Sequence, residues 1–143
     1  IQNLQEILLP LAKTKNIDFQ VHIDSTVPHY VKNDRLKIER ILLNLINNAI
    51  QALATVNKPN KVITIRAFKE KGCACIAISD NGMGVAKELL DGLFELLTTN
   101  KETGMGLGLW LSKHIVSRYD GKIYYKQIIG EGAQFVIELP IAN

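Results

Sequence analysis

From Asn33 to Leu53 apolar side chains return at steps of three and four residues, at Ile38, Leu42, Leu45, Ile46, Ala49 and Leu53. On a helix of 3.6 residues per turn they form one stripe, so the spacing predicts an amphipathic helix with that stripe turned to a core. The opposite side carries Arg40, Asn44, Asn48 and Gln51, joined by Asn47. A solvated face would account for polar residues, but such faces are usually Lys and Glu, and each Asn costs a helix about half a kcal/mol relative to Ala. Asn44 and Asn48 stand one turn apart, so their carbonyl oxygens can converge on a single ion or ligand.

The remaining pattern is mixed. Gln2–Lys15 has Leu4, Ile7, Leu8 and Leu11 at helical spacing around Pro10, which predicts a short first helix or helical linker over 1–15. Ile17–Ile23 alternates as a half-buried strand, and Asn33 or Asp34 is a plausible cap for the main helix. Lys61–Phe68 and Cys73–Ser79 read as two strands joined by a tight hairpin at Lys69–Gly72. A short helix is expected near Ala86–Leu90, and a longer one over Trp110–Tyr119 that Gly121 stops. Lys122–Ile128 and Gln134–Leu139 complete the strands, linked by Gly130-Glu131-Gly132 and ended by Pro140. Strands mostly in hairpin order, with helices between, predict an α+β fold: a two-layer sandwich with a mixed, mostly antiparallel sheet and helices on one face.

Composition narrows the class. A chain of 143 residues, 47% hydrophobic and 22% charged, is one domain of a soluble globular kind. The net charge of +3 is too small and scattered to argue for nucleic acid, and no apolar run is long enough to span a bilayer. The start at Ile1, without Met, is read as a piece of a longer protein. Cys73 and Cys75 are expected as buried thiols on one side of their strand in a reducing cytoplasm, rather than as a zinc site. His22, His29 and His114 form no cluster in sequence.

Three features carry candidate chemistry. Asp80 closes an apolar strand, where a carboxylate is costly unless bonded; it serves either as a turn residue before Asn81-Gly82 or as acceptor for an exocyclic amine such as that of adenine. Gly104, Gly106 and Gly108 alternate ahead of a helix, which describes either a phosphate seat or a simple hinge. That stretch lacks the Lys-Ser/Thr of a P-loop and does not follow a strand of a parallel unit. Asn44 and Asn48 offer hard neutral oxygens, suited to a magnesium ion shared with a triphosphate.

In order, the chain reads N-x-x-x-N on a helix, DNGMG, LFELLTTNK, GMGLGL and GEGAQF. Together these boxes resemble the ATP-binding catalytic domain of a two-component sensor histidine kinase, of the superfamily shared with gyrase, Hsp90 and MutL and known for the Bergerat fold. The resemblance covers essentially the whole chain and lies nearest the nitrogen-regulation and oxygen-sensing kinases. It implies that Asn44 and Asn48 belong to the magnesium-binding box, Asn48 being the principal ligand. It further implies that Asp80 takes the adenine amine and that Gly82 and Gly84 form the wall beside the base. Phe94 would mark a box within an ATP lid over about 85–103. Thr98, Thr99 and Lys101 match a Thr-Thr-Lys stretch, Lys101 as a catalytic phosphate contact, while Gly104, Gly106, Leu107 and Gly108 anchor the lid and offer amides to the phosphates.

The chain departs from the family's pattern at Arg40, Gln51, Leu96-Leu97 and Ala133, the last standing where a Thr is frequent. The expected ligands are Mg-ATP and ADP. The expected partners are the dimerisation and histidine-phosphotransfer domain of the same protein and a response-regulator receiver domain, with neither nucleic acid nor membrane contact. The expected setting is cytoplasmic, the full-length protein being soluble or membrane-anchored. None of the three histidines stands in a phosphoacceptor context, so the chain is expected to bind ATP without phosphorylating itself. Two rivals stand: a hydrolysing ATPase of the gyrase or Hsp90 branch, which would place a Glu at Asn44, and a degenerate module that keeps the fold without nucleotide.

Overall fold

The alternation of Ile17–Ile23 and the three-four spacing after it become a strand, β1 (Ile17–Ile23), and a 20-residue helix, α1 (Arg35–Ala54). The protein is described here from a computed structural model that covers residues 10, 16–25, 35–54, 56–57, 59–85, 87–90, 92–94, 105–127 and 132–141, with backbone alone at 35, 87, 89 and 105–107. Apart from Pro10, the expected helix or linker over 1–15 lies outside these residues, as do the caps expected at Asn33 and Asp34.

After α1 come β2 (Lys61–Glu70), β3 (Cys73–Asp80), the one-turn α2 (Lys87–Leu90), α3 (Met105–Arg118), β4 (Lys122–Gln127) and β5 (Ala133–Pro140). The sheet order is β1-β2-β3-β5-β4. β1 and β2 run parallel and every other neighbouring pair is antiparallel. A parallel pair needs a crossover, and α1 supplies it. β3 and β4 also run in one direction on either side of β5, and α3 makes that second crossover.

The hairpin is tighter than the sequence predicts. β2 and β3 stay paired to Glu70 and Cys73, and the turn is only Lys71-Gly72, with φ of 51° and 76°. Two positive φ values make a turn whose twist matches that of the strands, and glycine takes the second at no steric cost.

Ile41, Leu42, Leu45, Ile46, Ile50 and Leu53 of α1 meet Ile63, Ile65, Ile78, Phe135, Ile137 and Leu139 of the sheet, with Leu109, Ile115 and Val116 of α3 completing the core. Full burial of one such side chain contributes about 1.5–3 kcal/mol. Cys75, Ala77 and Val136 are buried too, but strand alternation turns them to the opposite side of the sheet. Of the two thiols expected to be buried, Cys75 is 1% exposed and Cys73, beside the hairpin turn, is half-buried; both are free.

The end of α3 is set by Asp120 rather than by Gly121. Asp120 takes the left-handed conformation at φ 59°, while its N-H reaches the Ser117 carbonyl and that of Gly121 the Val116 carbonyl, a Schellman closure. Gly121 is required for space, because a Cβ there would lie 2.4 Å from the Glu138 carbonyl oxygen.

Candidate nucleotide site

The polar side of α1 is not one solvated face. Asn47 and Gln51 are exposed, as is Arg40; Asn44 is half-buried, and Asn48 is 7% exposed with no hydrogen-bond partner for its Nδ2 among the described residues. A buried amide atom without a partner costs about 1–3 kcal/mol, so the fold carries Asn48 at its own expense.

Two other elements meet α1 along this side. Gly108 of α3 brings backbone to Asn44: a Cβ at Gly108 would sit 3.7 Å from the Asn44 Cγ and 3.9 Å from its Oδ1. At the other end Gly82 approaches the last turn of α1, where a Cβ would lie 3.6 Å from Leu53 Cδ2 and 3.8 Å from the Ala52 carbonyl. Asn44 and Ala52 are eight residues apart, about 12 Å along a helix. The strip between them is therefore bounded by α3 at one end and by the turn after β3 at the other.

Asp80 is 6% exposed at the end of β3, and its Oδ1 accepts the Gly82 N-H at 2.9 Å. The turn role is thus realised, and since a carboxylate offers about four acceptor positions it does not exclude a second. Asn81 does the fastening: its Oδ1 accepts the Val62 N-H at 2.9 Å and its Nδ2 donates to the Asn60 carbonyl at 2.7 Å, so a side chain continues the β2–β3 ladder where the strand ends. Gly84 follows at φ 79°.

Gly132, at φ 90°, lies so close that a Cβ would be 2.2 Å from the Asp80 carbonyl oxygen. Ala133 pairs with Asp80 across the β3–β5 ladder and is buried. Phe94 stands edge-on to Phe135, ring centres 6.2 Å apart, which ties the segment after α2 to the sheet.

The helix α3 begins five residues earlier than expected, so Gly106 and Gly108 lie within its first turns instead of preceding it. Glycine is tolerated there because the first amides have no intrahelical acceptor, and these are the amides an anion can use. For Gly106 and Leu107 only the helical backbone is described, and Thr98, Thr99, Lys101 and Gly104 lie outside the described residues. The structure thus places Asn44 and Gly108 at one end of the strip, Gly82 and Asp80 at the other and Asn48 between, while Gly84 lies against Gly132 and Phe94 packs on Phe135.

Sequence reasoning passed over Asn81, Ser112, Tyr125 and Gln127. Ser112, one turn after Gly108, is fully buried and its Oγ has no partner among the described residues. Tyr125 and Gln127 sit on β4 in a run whose spacing says only strand, so no periodicity could have marked them.

The geometry fits a phosphate-bearing ligand with a purine. The amides are neutral and do not repel phosphates, the strand-end carboxylate can accept an amine, and α3 offers its N-terminus.

A two-layer sandwich with amides on its long helix and a carboxylate buried at a strand end defines an ATP-binding domain of the Bergerat kind. Residues 33–143 match the family of histidine kinase-, DNA gyrase B- and HSP90-like ATPases. The C4-dicarboxylate transport sensor protein DctS of Rhodobacter capsulatus is 30% identical over 94% of this chain and 20% of its own length. For the sensor protein FixL of Bradyrhizobium diazoefficiens the figures are 30%, 92% and 26%. The nucleotide-free catalytic domain of the histidine kinase ThkA superposes with a TM-score of 0.85 at 26% identity, over 99% of this chain and 92% of that one. Full-length ShkA in complex with AMPPNP gives 0.83 at 25%, over 99% and 29%. The chain therefore belongs to the histidine kinase-, DNA gyrase B- and HSP90-like ATPases, as a catalytic ATP-binding domain of the sensor histidine kinase type. It spans a fifth to about a quarter of the length of these two curated relatives.

Proposed function

We propose that the chain holds Mg-ATP along α1 and presents the terminal phosphoryl group to a histidine on a dimerisation and phosphotransfer domain of the same protein, with a receiver aspartate downstream. The observation that carries this reading is the buried amide of Asn48 in the strip that ends at Asp80: its unpartnered Nδ2 is a donor suited to a phosphate oxygen, and its Oδ1 is the atom that would serve the metal. Asn48 and Asn44 would hold the magnesium ion, whose chemistry is to neutralise the phosphate oxygens and fix their orientation.

Asp80 accepts the adenine amine, and its bond from Gly82 orients the carboxylate for that contact. Gly82 and Gly84 let backbone lie against the base, and Gly108 leaves the start of α3 open beside Asn44. The resemblance adds Phe94, Thr99, Lys101, Gly104, Gly106 and Leu107 to this set, with Lys101 against the phosphates. Catalysis by these groups is positioning and charge neutralisation, since an amide at Asn44 cannot take a proton from water as a hydrolytic base would.

Among the described residues no helix is long and apolar enough to cross a bilayer. Incubation with γ-labelled Mg-ATP tests the proposal. The chain alone is expected to bind without stable, acid-labile incorporation, and label is expected on the histidine domain of its own protein when that is supplied. Incorporation into the isolated chain, or none into the supplied histidine domain, would contradict it.

A further inference from the structure

Three side-chain bonds converge where the chain leaves the sheet after Gly84. The Val85 N-H donates to the Tyr125 hydroxyl at 3.1 Å, that hydroxyl donates to Gln127 Oε1, and Gln127 Nε2 donates to the Gly132 carbonyl at 3.0 Å. The directions are forced. A carbonyl only accepts, so the Gly132 end must meet the amide nitrogen; Oε1 is then left facing Tyr125, whose hydroxyl must donate to it and accept from Val85.

The Gln127 side chain and Gly132 also close the space beside Gly84, where a Cβ would lie 2.7 Å from Gln127 Nε2, 3.0 Å from its Oε1 and 2.9 Å from the Gly132 carbonyl oxygen. Gly132 in turn rests on the Asp80 backbone, 2.2 Å from where its own Cβ would be. The Tyr125 ring stands edge-on to Phe135 at 5.4 Å, and Phe135 carries Phe94 on its other contact. One tyrosine thereby bonds by its hydroxyl to Val85 and packs by its ring on Phe135, which also carries Phe94.

We propose that Tyr125 and Gln127 are positioning residues for the nucleotide: a clip from β4 that holds Gly84–Val85 and Gly132 in register with Asp80, and so sets the wall against which the purine lies. This rests on the nucleotide reading of the strip. Chained bonds of this kind polarise and support one another, so removing one member loosens all three.

The test compares Tyr125→Phe, Gln127→Ala, the double variant, and Tyr124→Phe, whose hydroxyl bonds to Glu138 on the opposite side of the same strand. Two readouts are taken on the 143-residue chain: ADP affinity by calorimetry, and hydrogen exchange of the Val85 amide without nucleotide. Each clip variant is expected to weaken ADP by about three- to tenfold and to speed Val85 exchange by a similar factor, as for loss of one net hydrogen bond. The double variant should be no worse than about the larger single effect, and Tyr124→Phe should match the parent in both readouts.

Tyr125→Phe with parental ADP affinity, or with unchanged Val85 exchange, would overturn the proposal. So would a loss of melting temperature with no change in affinity. If the parent itself fails to bind ADP, the nucleotide reading falls and the positioning role with it, whereas Val85 exchange still reports whether the clip exists.

Discussion

The open face of the sheet and the two helices packed on its other face treat their polar groups in opposite ways. On the open face they answer one another: Tyr124 bonds to Glu138, Gln134 to Ser79, Arg66 to Asp24 while lying over Phe68, and Lys126 lies over Tyr124, around a groove of about 410 Å³. On the helix-covered face, where an unanswered polar group costs most, Asn48 and Ser112 each keep an atom with no partner among the described residues. Stability alone would have replaced both by apolar residues. Under the nucleotide reading proposed above, the difference at Asn48 is one of purpose: the open face is satisfied within itself, and the Asn48 amide is left for a ligand to complete.

The sharpest way to break this contrast is at Asp80. Asp80→Asn keeps the oxygen that accepts from Gly82 but loses the charge, so nucleotide affinity should fall by about 10- to 100-fold, as for a charge-assisted bond, with little loss of melting temperature. Calorimetric titration of both proteins with ADP checks this. A comparable loss of stability would instead make Asp80 a structural residue.

Gly121→Ala should do the reverse. Its Cβ would strike the Glu138 carbonyl and the Leu139 and Val116 side chains, far from the strip, and should cost about 1–3 kcal/mol of folding stability by urea unfolding while ADP affinity stays within about twofold. Gly108→Ala tests the same contrast from inside the strip, since a Cβ there meets only ordinary contacts. Folding stability should hold or rise by up to about 1 kcal/mol, with nucleotide affinity reduced.

Much of the contrast was legible before the fold was known, and its limits are instructive. Apolar spacing located α1, and the glycines after β2 and β3 located the turns there, because side-chain period and backbone freedom are local properties. The burial of Asn48 was not legible. On a wheel it shares a side with exposed Gln51, and only the approach of other elements to α1 separates them. The start of α3 was missed because three glycines within five residues look like loop, whereas packing against Asn44 and unpaired first-turn amides make Gly106 and Gly108 acceptable in a helix. Tyr125 and Gln127 were invisible because their partners, Val85 and Gly132, come from other loops.

Smaller effects probe the open face. Burial, and secondarily the Glu138 carboxylate, push the Cys75 thiol from 9.0 up to about 11, and burial with the Glu138 bond pushes Tyr124 up to about 12. Both pKa values are raised, so the folded state keeps protons that the unfolded chain gives up. For Cys75 the stability is intact below about pH 9 and is lost as pH rises toward 11. Cys75→Ala should flatten part of that alkaline limb, and Cys73 should react with a thiol reagent faster than Cys75 at pH 8. Smallest of all, Ser112→Ala should leave stability unchanged or raise it by up to about 1 kcal/mol, because it removes a buried hydroxyl without a partner among the described residues.

Asn48 carries the central claim, and one titration tests it: AMPPNP binding to the parent and to Asn48→Ala, each with and without magnesium. The parent should bind more tightly when magnesium is present, and the variant should retain the magnesium-independent part alone. No binding by the parent, or magnesium dependence that survives in Asn48→Ala, would contradict the account.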